Sequence, residues 1–119
     1  MFEESRAVEM NQRLITNKRG VHRSSELLNA ATVNGANSLG RNSYGLVVGA
    51  AADFIAVSTA SVRLASFDPK NGAAHLVHSA TSADVRDVWV GGDQIVKDQI
   101  HRTMPDIAGA LRSAINALA

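Results

Sequence analysis

The sequence predicts an α+β fold: two N-terminal helices, a small β-sheet and a C-terminal helix. Three observations carry this. Apolar residues recur at helical spacing through residues 1–40, β-branched runs fall around residues 47–57 and 85–96, and a regular apolar stripe runs from Ile107 to Leu118. With 119 residues, 45% of them hydrophobic, the chain is long enough for one domain with a modest core.

Phe2 to Leu14 is rich in helix formers, and Phe2, Ala7, Met10 and Leu14 give one apolar stripe beside a charged face expected to be solvated. Asn17-Lys18-Arg19-Gly20 ends that helix, with Gly20 suited to a left-handed cap. Ser24 is the expected N-cap of a second helix carrying Glu26 in its first turn. Its stripe is Leu27, Leu28, Ala31, Gly35 and Leu39, stopped by Gly40. Asn34-Gly35 within it costs about 1 kcal/mol of propensity, which close docking of this lean face against another element would explain.

Gly45 to Val57 reads as a tight strand pair: Val47 and Val48 on one strand, a reversal at Gly49, and Phe54, Ile55 and Val57 on a buried second strand. Asp53 opens that second strand, where its carboxylate is expected to accept hydrogen bonds from the preceding turn. Ser58 to Gly72 holds Asp68-Pro69 and Asn71-Gly72, two turn signals without an apolar period, and reads as a loop or linker. Ala73 to Ala80 is a short helix or a strand. It carries His75 and His78, which share a face only on a helix, and no nearby Cys or carboxylate completes a metal set. Asp84 to Val96 is the clearest hairpin, turning at Gly91-Gly92, with Trp89 covering one side of the sheet and Lys97-Asp98-Gln99 as a polar exit. Thr103-x-x-Asp106 then resembles a capping box, with Pro105 in the first turn of a helix striped by Ile107, Ala108, Leu111, Ala114, Ile115 and Leu118.

Composition excludes several functions. Twelve Lys and Arg against eleven Asp and Glu give no long-range attraction for nucleic acid or an anionic membrane, so neither is an expected partner. The absence of Cys removes disulfides, thiolate metal sites and a Cys nucleophile. Glu3, Glu4, Arg6, Glu9 and Arg13 occupy the window where an export signal would place its apolar core, so a cytoplasmic location is expected by default. The longest apolar region, Leu46 to Val57, is interrupted by Asp53 and falls short of the roughly 20 residues of a spanning helix, so a soluble protein is expected. No glycine pattern has the context of a phosphate loop or a nucleophile elbow.

Gly45, Val47, Gly49, Ala52, Asp53, Phe54, Ile55 and Val57 together resemble a segment near the C-terminus of amidohydrolase-superfamily enzymes, where it builds part of a β-sandwich beside a metal-bearing (β/α)8 barrel. Leu27 to Ala36 is similar to the family helix before the sandwich, and Val85-x-x-Val88-Trp89-Val90-Gly91-Gly92 to its last hairpin. Ser61 to Ala65 and Ser79 to Arg86 look most like the formimidoylglutamate deiminase branch. The resemblance covers nearly the whole chain but only the last quarter or so of a typical member. It implies that residues 1–40 are a helical segment from the end of the barrel and residues 41–119 a sandwich segment with a C-terminal helix. It also implies a His-x-His pair, further histidines and an Asp holding zinc or iron to activate water, and none of these can be placed here. His22, His75, His78, His101 and Asp53 lie outside those motifs, and the chain begins just where residues after the final barrel Asp are expected. The expectation is therefore no catalytic, cofactor-binding or metal residue in this chain. It would serve as the structural C-terminal portion of a metal-dependent C–N hydrolase, inactive alone, associating with itself or with a separate N-terminal barrel portion. The alternative is a stand-alone interaction or oligomerisation module.

Overall fold

The computed structural model describes residues 1–118. Helix α1 (Phe2–Thr16) is followed by α2 (Ser24–Asn29), which runs through a π-helical stretch at Ala30–Asn34 into α3 (Gly35–Ser38). Strand β1 (Phe54–Val57), α4 (Gly72–His78), β2 (Val85–Val90), β3 (Asp93–Lys97), β4 (Ile100–His101) and α5 (Ile107–Asn116) complete the order. The four strands form one antiparallel sheet in sequence order, with Ile55 opposite Val88, Val88 opposite Val96 and Val96 opposite His101. Helices α1 and α2 pack on α4. The core lies between these helices and the sheet, where Phe2, Leu64 and Ala80 meet Val57, Leu76 and Val85. No helix among the described residues is long and apolar enough to cross a membrane.

The α+β class, the helices and the hairpin follow the expectation, and the segment 73–80 resolves to a helix. The strand pair does not form. Only its second member exists, and residues 45–52 are irregular, with Val47 accepting from the Ala50 N–H and Ser43 from the Ala51 N–H. Val47 and Val48 suit a pleated surface, but strand propensity needs a cross-strand neighbour and burial, and Leu46, Val47 and Val48 find neither. β1 is consequently an edge strand, and Phe54 and Ile55 are exposed rather than buried.

The supposed linker 58–72 is ordered by 3-10 turns at Val62–Leu64 and Pro69–Asn71, and Leu64, 1% exposed, plugs the core. Val62, Leu64 and Phe67 follow no continuing apolar period, so nothing in the sequence marks Leu64 as the buried one while Val62 stays exposed. On α1 the charged face is partly interior: Arg6 donates to the Val77 and Ala80 carbonyls, and Glu9 is 1% exposed. Asn17 (φ 55°), not Gly20, takes the left-handed cap, and Arg23 rather than Ser24 caps α2, its N–H held by the Glu26 carboxylate. Gly35 closes the π-helical stretch, where an added Cβ would stand 3.0 Å from the Ala30 carbonyl oxygen. The small residue therefore serves the helix's own widened turn.

Gly91 (φ 58°) and Gly92 (φ 86°) supply the two left-handed residues a tight hairpin requires. Lys97-Asp98-Gln99 is not an exit. Asp98 (φ 48°) and Gln99 (φ 68°) build a second tight turn into β4, held by the Asp98 N–H on Asp87 and the Gln99 N–H on the Arg86 carbonyl. Asp106 itself caps α5 by accepting from the Gly109 N–H at 2.9 Å, and the Thr103 box does not form. Every residue of α5 except Gly109 is exposed.

Candidate functional site

Among the described residues three carboxylates are buried: Glu9, Asp84 and Asp87. Buried carboxylates are the usual stock of acid–base catalysts, so their environments decide what they can do. Glu9 accepts from the His22 N–H at 3.0 Å, the Gly20 N–H at 2.8 Å and Arg13 Nε at 3.0 Å. These bonds, the His22 N–H foremost, pull its carboxyl down to about 2. Asp84 accepts from Arg63 Nη2 at 2.8 Å and Nε at 3.2 Å, and from the Thr81 N–H at 2.8 Å and hydroxyl at 3.1 Å. The Arg63 guanidinium contributes most to holding it far below the usual carboxylate range. Asp87 accepts from the Asp98 N–H at 2.9 Å and Arg86 Nε at 2.7 Å, and the Asp98 N–H is the main reason its carboxyl is lowered too. A general acid or base at neutral pH needs a carboxyl raised toward 7 and free to exchange its proton. All three are instead locked ionised, and they act as clasps between segments.

Asp53 is structural as well, through a different turn from the one expected. Its Oδ1 accepts from the Gly91 N–H at 2.6 Å, tying the start of β1 to the β2–β3 turn rather than to the turn before it.

The histidines are dispersed. His75 packs against the Phe67 ring with centroids 5.5 Å apart, and His78 Nε2 lies 3.3 Å from Ser24 Oγ. His101 Nδ1 accepts from the Thr103 N–H at 3.3 Å, and the His22 backbone serves Glu9. Among the described residues no three His, Cys, Asp or Glu side chains converge as metal ligands would. The zinc or iron that the resemblance implies therefore finds no fitting donor set here, and no chemical step can be routed through it in this chain.

What the surface does offer is an apolar groove of about 700 Å3 between α2 and the outer end of the sheet, lined by Leu28, Ala31, Ile55, Val88 and Val90 among others. Phe54 and Trp89 stack beside it, with ring centroids 4.6 Å apart and planes 19° from parallel. Trp89 thus covers one side of the sheet as expected, but with an edge-strand partner. Sequence reasoning missed Glu9, Arg63, Asp84 and Asp87 as organising residues. Only Asp84, three residues after Thr81, carried a local signal, since the spacing is that of a capping box.

A model of the amidohydrolase family matches residues 1–95. A 5-methylthioadenosine/S-adenosylhomocysteine deaminase of Shouchella clausii is 36% identical over 100 residues, 83% of this chain and 23% of that protein. A 5'-deoxyadenosine deaminase of Methanoregula boonei is 32% identical over 119 residues, 100% of this chain and 26% of that protein. Among solved structures, an adenosine deaminase from Xanthomonas campestris with bound zinc matches with a TM-score of 0.85 at 25% identity, over 98% of this chain and 26% of its own. An amidohydrolase from Brucella melitensis matches with a TM-score of 0.77 at 27% identity, over 99% and 27%. The chain spans 23% and 26% of the length of the two deaminases from S. clausii and M. boonei. These relatives bear out the resemblance carried by residues 45–57 at the level of the superfamily; the activities they name are deaminations of adenosine derivatives, not formimidoyl hydrolysis.

Proposed function

The chain belongs to the amidohydrolase family, and from that premise we propose that it is the structural C-terminal portion of a deaminase-type C–N hydrolase whose catalytic groups lie on a barrel portion outside this sequence. One observation carries the reading: 98% of the chain superposes on only 26% of the zinc-bearing adenosine deaminase. The buried carboxylates agree with it, since each is committed to holding segments together and none is poised for proton transfer. In this reading residues 1–40 end the barrel, residues 41–119 form the sandwich segment, and the location is cytoplasmic. A metal in the barrel portion would activate the attacking water, and this chain would supply none of its ligands. The substrate class we favour is an adenosine derivative, supported by the names of the relatives; a formimidoyl amino acid rests only on Ser61 to Ala65 and Ser79 to Arg86. A stand-alone interaction module is the weaker reading, because it leaves the end-to-end match unexplained.

A chimera tests this. The matched quarter of the Xanthomonas enzyme is replaced by this chain, with the corresponding Brucella segment as control. We expect zinc retention and ammonia release from adenosine or 5'-methylthioadenosine. A chimera that loses zinc where the Brucella control keeps it, or deamination by the isolated chain, would overturn the reading.

A further inference from the structure

We draw no further inference here: the strongest candidate, the apolar groove between α2 and the outer end of the sheet, carries nothing because the chain spans only 23% and 26% of the two matched deaminases and nothing in the structure shows what covers that face.

Discussion

Glu9 shows how a single residue can join segments that its sequence neighbourhood does not connect. It sits on α1 among Glu3, Glu4 and Arg13, yet its carboxylate closes the loop through the N–H groups of Gly20 and His22, 11 and 13 residues further on. Those partners are backbone groups, which no sequence pattern marks, so a buried clasp looked like a solvated charge. The linkage has a definite sign. The carboxyl is lowered from 4.5 to about 2 in the fold, so its contribution is fully present above about pH 4.5 and is lost as pH falls through about 2. Glu9→Gln should lower Tm at neutral pH by roughly 5–10 °C and make the fall of Tm between pH 4.5 and 2 shallower than in the parent chain. Melts across that range decide it. An acid slope unchanged by the substitution would show that Asp84 and Asp87 carry the whole effect.

Elements were legible where the signal is local and misleading where it depends on a partner. Gly91-Gly92 between alternating runs announces its hairpin because two left-handed residues in succession are glycine's province. Asp98 and Gln99 do the same work without glycine, stabilised by Asp87 and Arg86 from the neighbouring strand, so β4 left no trace in the sequence. Gly35 was visible as an anomaly and wrongly explained. In an ordinary exposed helix Gly→Ala gains about 1 kcal/mol. Here the new Cβ would press on the Ala30 carbonyl at 3.0 Å, so Gly35→Ala should give no stabilisation, and a Tm raised by several degrees would mean the π-helical stretch simply regularises. The cap of α5 makes a parallel case. Asp106→Ala removes the acceptor for the Gly109 N–H and should cost about 1 kcal/mol of helix stability. Gly109→Ala should also lose the cap, because its Cβ would lie 2.1 Å from Asp106 Oδ2. Ellipticity at 222 nm reads both; a gain of helix in Gly109→Ala would show that the cap is dispensable.

At the scale of the whole molecule, the chain is wider than its length warrants. A compact domain of this size has a radius of gyration of about 13.5 Å, and this one has 17.0 Å. Leu39 and Val47 are exposed while Leu27, on the same predicted stripe as Leu39, is buried, and the core rests on a few side chains around Phe2 and Leu64. The same openness bears on chemistry. An open catalytic metal site needs about three protein ligands converging on one ion, with a position left for water. His75 and His78 share α4, but one ring lies against Phe67 and the other beside Ser24, and no carboxylate joins them among the described residues. The purified chain should therefore retain no stoichiometric zinc or iron after dialysis and release no ammonia from adenosine derivatives. Elemental analysis of the dialysed protein, paired with the His75→Ala and His78→Ala variants, checks the prediction. One tightly held metal per chain that disappears with either substitution would show that α4 rearranges into a site that the folded chain keeps apart.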